Sequence, residues 1–178
     1  MNRALLARRP RAPRRTAAVA VAVEVLVCGS PDRGDDGAPM AVMSRVREQL
    51  PADVTMRAVG MLDVDDLLSI PAGAGVVIVD AATGIDPGAI VDLTLHGMIG
   101  RSDGVHPRSS HALTLPEVVG LAEMMRGRPL CGRIVAIGGA HFGLGSSFSR
   151  PVNAALEPLS EAIVQAVSSV RPPTATPA

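Results

Sequence analysis

Residues 23–37, VEVLVCGSPDRGDDG, constrain this chain more than any other stretch. A short apolar run ends at a small-residue turn, and two adjacent carboxylates, Asp35 and Asp36, follow where a helix should begin. An apolar run bounded by Gly, Ser and Pro reads as a buried strand, so this is the first strand–loop–helix unit of an α/β sheet. Ligands of such sheets sit outside the carboxyl ends of the strands. A pair of acids at that edge is placed for chemistry.

The rest of the chain continues the alternation. Residues 36–50 carry Met40, Met43, Val46 and Leu50 at roughly helical spacing, which predicts a surface helix. Residues 54–59 read as a second strand, and 63–70 as a short helix with acids in its first turn, where the helix dipole favours them. VVIVD (76–80) is the most convincing buried strand, β-branched nearly throughout and ending in a carboxylate. Residues 89–95 follow over a connection too short for a parallel crossover, and are expected as an antiparallel edge strand. A flexible loop over 97–110 leads to His111. Residues 115–125 form a second surface helix capped by Thr114 and Glu117. Residues 133–138 are a further buried strand. After the Gly- and Ser-rich loop 139–149, the last helix has Val152, Leu156, Leu159, Ile163, Val167 and Val170 along one face. This order predicts a three-layer α/β/α sandwich around a mostly parallel, twisted sheet of about five strands.

A chain of 178 residues suits one domain, expected over 23–171 between a basic disordered tail (1–22) and a C-terminal tail (172–178). Residues 1–23 hold six of the 17 basic residues and none of the 17 acids; the remainder has 11 Arg against 17 acids, a net of −6. A mildly acidic body has no basic stripe for nucleic acid. With no Trp or Tyr and two Phe, it also lacks aromatic stacking platforms. Every basic residue is Arg, which removes Schiff-base and P-loop lysine chemistry. The paired arginines before residues 17–23 faintly resemble an export leader, but Glu24 interrupts the apolar run and no clean cleavage site follows. No run reaches the ~20 apolar residues of a membrane span. Cys28 and Cys131 form no C-x-x-C pair and are expected as buried free thiols. A cytoplasmic monomer with no nucleic-acid or membrane partner is the expectation.

Three groups should reach one sheet edge: the Asp35–Asp36 pair, Asp80 and His111. Two carboxylates and an imidazole from separate elements form a common first-row divalent metal site with open positions. Each alone has an ordinary explanation, as an N-cap, a strand-closing turn or a loop hydrogen bond. Other chemistries fit less well. GSPDRG lacks the glycines of a dinucleotide fingerprint and the lysine of a P-loop. The serines at 109–110 and 146–147 do not form a G-x-S-x-G elbow. A response-regulator receiver shares an acid pair and a strand-ending Asp, but it needs a Lys that this chain lacks.

In series, these motifs resemble the hydrogenase maturation endopeptidases, which remove a C-terminal extension from the large subunit of [NiFe]-hydrogenase after nickel insertion. That family opens with a strand and G-x-G-N-x-L-x-x-D-D/E-G; here VCGSPDRGDDG (27–37) aligns without a gap. VVIVDAATGIDPGAI (76–90), SSHALTLPEVVGLAEMM (109–125), IVAIGG (134–139) and GLGSSFSRPVNAAL (143–156) follow in the family's order. The resemblance implies that Asp36, Asp80 and His111 are the metal-sensing ligands. It implies further that the metal is nickel carried by the substrate, a hydrogenase large-subunit precursor, rather than a resident cofactor. Asp35 would then shape the loop. His141 is a candidate fourth ligand that the family pattern does not call for, and His96 and His106 are expected to be solvated. The chain departs from the pattern at Val27, Ser30 and Asp32, and has Gly60-Met61-Leu62 for the family's G-G-T. No Ser, Cys or Thr is placed like an activated nucleophile, so the catalytic group is unknown and a metal-polarised carbonyl or water is the default mechanism. The alternative is a non-catalytic α/β binding or signalling module, receiver-like or a divergent inactive homologue.

Overall fold

A computed structural model describes residues 21–99 and 113–171. The tails over 1–20 and 172–178, residues 100–110 of the expected loop, which include His106, and then His111 and residue 112 lie outside the described residues.

The five strands are β1 (Val23–Cys28), β2 (Val54–Gly60), β3 (Gly75–Ala82), β4 (Ile90–Thr94) and β5 (Gly132–Gly138). They form one sheet in the order β2-β1-β3-β5-β4. All neighbours are parallel except β4, which runs antiparallel to β5 at the edge. Every residue of β1 is buried, which is why its sequence is a near-continuous apolar run rather than an alternating one. The period-2 geometry of a strand then divides that run between two cores. Val23, Val25 and Val27 join Val77, Val79, Val135 and Ile137 on one face. Leu26 and Cys28 join Val76, Ile78, Ile134 and Ala136 on the other.

Helices cover both faces. The first face is covered by α1 (Ala38–Ala41), α2 (Met43–Gln49), α6 (Arg150–Ala154) and α7 (Leu156–Val170). Leu159, Ile163, Ala166, Val167 and Val170 of α7 are buried there. On the second face, α3 (Val64–Leu68), α4 (Leu95–Ile99) and α5 (Leu115–Arg126) contribute Leu67, Leu95, Val118, Val119 and Ala122. This is a three-layer α/β/α sandwich, as the alternation predicts. The one acid inside β1, Glu24, faces the second layer. Arg57 of β2 neutralises it at 2.6 Å and also binds Asp66 of α3 at 2.5 Å, so a buried charge ties three elements together.

Four local expectations change. The last helix, read as one element from Val152 to Val170, is α6 and α7 separated at Ala155. The single helix over 36–50 is a 3-10 turn (Gly34–Gly37) followed by α1 and α2, separated at Val42. The fully buried positions are Ala38, Val42 and Val46, with Met40, Met43 and Leu50 packed around them. Residues 97–99 belong to α4 rather than to a loop, because buried Leu95 anchors the segment and the Thr94 hydroxyl accepts the Gly97 N–H at 3.0 Å. Cys28 is buried, but Cys131, just ahead of β5, is exposed. No helix among the described residues is long and apolar enough to cross a membrane.

Candidate functional site

The chain leaves β1 toward β2 in one direction and β3 in the other, so β1 and β3 flank the sheet's topological switch point. A cleft of about 740 Å³ opens at their carboxyl ends. Asp36, from the turn after β1, and Asp80, near the end of β3, both line it. So do Cys28, Arg33, Met61, Leu62, Leu113, Leu115 and Phe142.

The loop between β1 and the acids is built by close backbone approach. Gly29 has φ +104, and a Cβ there would lie 2.0 Å from the Asp36 carbonyl oxygen, so no side chain fits. The Ser30 N–H donates to Asp36 Oδ2 at 3.0 Å, which turns that carboxylate back along the loop. Ser30 thus acts here through its backbone N–H.

Asp35 and Asp36 are adjacent in sequence and opposite in role. Asp35 is fully buried and turned away from the cleft into the loop after β5. Its Oδ2 accepts the N–H groups of Ala140 at 2.8 Å and His141 at 3.0 Å; its Oδ1 accepts that of Ser149 at 2.7 Å. The Asp35 N–H donates to the His141 carbonyl at 2.8 Å, and the Gly34 N–H to that of Gly145 at 2.5 Å. Burial pushes the Asp35 carboxyl up, but these N–H donors outweigh it and hold the group below the ordinary carboxylate value. Asp35 is a clasp between two loops. His141 contributes backbone to that clasp, its side chain is exposed, and it does not line the cleft.

Asp80 is treated differently. Among the described residues its side chain accepts only the N–H of its neighbour Ala81, on Oδ1 at 2.8 Å. Burial, with a smaller push from the Asp36 charge and against that one hydrogen bond, raises its pKa to about 6. Two carboxylates on one cleft, one held against its own ionisation, are an arrangement that a cation relieves. Cys28 lies among the same acids. Burial and then the charges of Asp80, Asp66 and Asp36 push its thiol far up, so it stays protonated and is a poor nucleophile.

The structure thus brings Asp36 and Asp80 together on one cleft. Among the described residues no three metal-ligating side chains converge on one point, and the expected third member, His111, lies outside them. The described residue nearest to it in the chain, Leu113, lines the same cleft. His96 is exposed, 3.4 Å from Glu123, and does not line the cleft. Gly60, Met61 and Leu62 form a wall of the cleft, whereas sequence reasoning missed Arg33 and Phe142 as lining residues. Phe142 lies in the loop that follows the carboxyl end of β5, so the rule that ligands sit at strand ends points to it.

No protein-family model and no curated protein matches the chain. Solved structures do. The hydrogenase maturating endopeptidase HybD from E. coli superposes with a TM-score of 0.65 at 20% identity, covering 83% of this chain and 92% of that one. The [NiFe] hydrogenase maturation protease HybD from Thermococcus kodakarensis gives 0.60 at 22% identity, covering 78% and 94%. The maturation protease HycI from Thermococcus kodakarensis KOD1 gives 0.62 at 22% identity, covering 83% and 93%. The fold is that of the hydrogenase maturation proteases.

Proposed function

We propose that this protein is an endopeptidase that removes the C-terminal extension of a [NiFe]-hydrogenase large-subunit precursor once nickel has been inserted. The observation that carries the proposal is the pairing of Asp36 and Asp80 on one cleft at the switch point of this fold. In this reading nickel belongs to the substrate. Asp36, Asp80 and His111 take hold of the nickel that the precursor carries, and the scissile segment is thereby laid along the cleft. A precursor without nickel has nothing to satisfy the two carboxylates and is passed over. Carboxylate and imidazole ligands of moderate strength with open positions suit such a transient contact. The peptide carbonyl or an attacking water is activated at the metal, in keeping with a Cys28 thiol that is held protonated.

The test is direct. The protein is incubated with nickel-loaded and nickel-free precursor, and C-terminal mass loss is followed by mass spectrometry. Cleavage of the loaded form alone is expected. Asp36→Ala, Asp80→Ala and His111→Ala should each lower processing by more than about a hundredfold, beyond the 10–100-fold typical of residues one shell further out. No cleavage of the loaded precursor, where an established maturation protease cleaves it, would leave the protein as a non-catalytic module on the same fold.

A further inference from the structure

We propose that Arg33 recognises a carboxylate on the peptide that occupies the cleft, and so selects substrate independently of the metal. The proposal rests on the endopeptidase reading for the identity of the occupant as an extended peptide. Its physical basis is the placement of Arg33. The other well-anchored arginines among the described residues have structural work to do. Arg57, Arg133 and Arg171 bind carboxylates, Arg47 the Met56 carbonyl, and Arg126 the carbonyls of Leu67, Leu68 and Ile70. Arg33, like Arg128 and Arg150, makes no side-chain hydrogen bond or ion pair among the described residues, and it is the one of these arginines that lines the cleft.

Its backbone, by contrast, is pinned. The Arg33 N–H donates to the Ser30 carbonyl at 3.2 Å, the Arg33 carbonyl accepts the Asp36 N–H at 3.3 Å, and Arg33 bridges to Gly145 on the Asp35-clasped loop. A fixed Cα places an uncommitted guanidinium at the cleft, and its planar fork matches a planar anion. Asp36 and Asp80 on the same cleft disfavour a multiply charged anion such as a phosphate, which leaves a monovalent carboxylate as the fitting partner. The apolar wall of Met61, Leu62, Leu113 and Leu115, with Met61 82% exposed, suits the side chains of an extended segment. The cleft is therefore bipolar, with a cation-seeking pair of acids and an anion-seeking arginine. The carboxylate comes from an acidic side chain of the peptide or from its C-terminus.

Two measurements test this. In the first, NMR titrations compare binding of short apolar hexapeptides that carry one Glu or one Gln, each as free acid and as C-terminal amide, to wild type, Arg33→Gln and Arg33→Lys. Wild type should prefer a carboxylate-bearing peptide by about tenfold or more, as expected of a charged hydrogen-bonded pair. Comparison of the Glu/Gln and acid/amide pairs shows which carboxylate is read. Arg33→Gln should abolish the preference and Arg33→Lys restore part of it, with circular dichroism confirming that all three are folded. Equal binding of every peptide to wild type, or a preference that survives in Arg33→Gln, overturns the proposal. In the second, Arg33→Gln should raise KM for nickel-loaded precursor by about tenfold with kcat within about twofold. A kcat loss at unchanged KM also overturns it. Should wild type fail to process the precursor, the endopeptidase reading falls and the peptide titration still decides the role of Arg33. Processing by wild type without any dependence on Arg33 leaves that reading standing and removes this one.

Discussion

Asp35 and Asp80 are carboxylates set into the same edge of the same sheet, and the fold treats them in opposite ways. Asp35 receives three backbone N–H groups from one loop and is held ionised in a site with no solvent exposure. Among the described residues Asp80 receives one, from its own neighbour, and it faces a second carboxylate. A buried charge that is fully hydrogen-bonded stabilises the folded chain, whereas one left short of partners costs it. The difference separates a structural acid from one that the fold keeps waiting for a partner.

The largest effect should come from breaking the satisfied member. Asp35→Ala leaves three N–H groups in a buried loop without acceptors, each costing roughly 1–3 kcal/mol. Allowing for some water entry, we expect a loss of about 3–5 kcal/mol in urea unfolding at pH 7, a large share of a typical domain's stability. The pH dependence has a definite sign. The folded pKa of Asp35 lies below its unfolded value, so its stabilisation is present above about pH 4 and is lost as pH falls through the folded value. The gap between wild type and Asp35→Ala should therefore narrow in acid. A mutant within 1 kcal/mol of wild type would show that the clasp does not hold the loop.

Asp80→Asn should act in the opposite direction and more weakly. Below about pH 4 the carboxyl is neutral in both folded and unfolded chains, and the pKa difference has no effect. Between about pH 4 and 6 the folded chain keeps a proton that the unfolded chain has released, so stability falls as pH rises. Above about pH 6 the full cost remains. Asn keeps the shape and can accept the Ala81 N–H, so the variant should be about 2 kcal/mol more stable than wild type at pH 8 and equal to it near pH 4. Equal or lower stability of the variant at pH 8 would mean that Asp80 is already satisfied and that the contrast with Asp35 fails. A gain in stability with a loss of processing is the signature of a residue kept for function.

Much of this site was legible before the structure. VVIVD announces a central buried strand ending in an acid, and the switch-point rule places that acid beside the loop after β1. The clasp was not legible. Its donors lie 105 to 114 residues from Asp35, and they are backbone N–H groups, which leave no trace in residue identity. The break at Val42 escaped for a related reason. The Met40, Met43, Val46 and Leu50 pattern follows a helical period, while the fully buried set is Ala38, Val42 and Val46, and a small alanine contributes little to an apolar pattern. Arg33 escaped because an exposed arginine in a polar loop looks like any solvated charge until the cleft beside it is seen.

The smallest effect sharpens the comparison at its closest range, between neighbours in the chain. Asp36 is part-buried and its side chain accepts one hydrogen bond, from the Ser30 N–H, which an Asn carbonyl oxygen can accept as well. Asp36→Asn also removes a charge that helps to raise the Asp80 pKa. Its stability above pH 6 should therefore lie between that of wild type and about 0.5 kcal/mol higher, within the range of ordinary surface substitutions. Processing of nickel-loaded precursor should nevertheless fall as in Asp80→Asn. Urea midpoints of Asp36→Asn and Asp35→Ala, measured together with wild type at pH 8, read the partition directly. If Asp36→Asn unfolds as early as Asp35→Ala, the two acids share one structural task, and the division of labour across a single peptide bond does not exist.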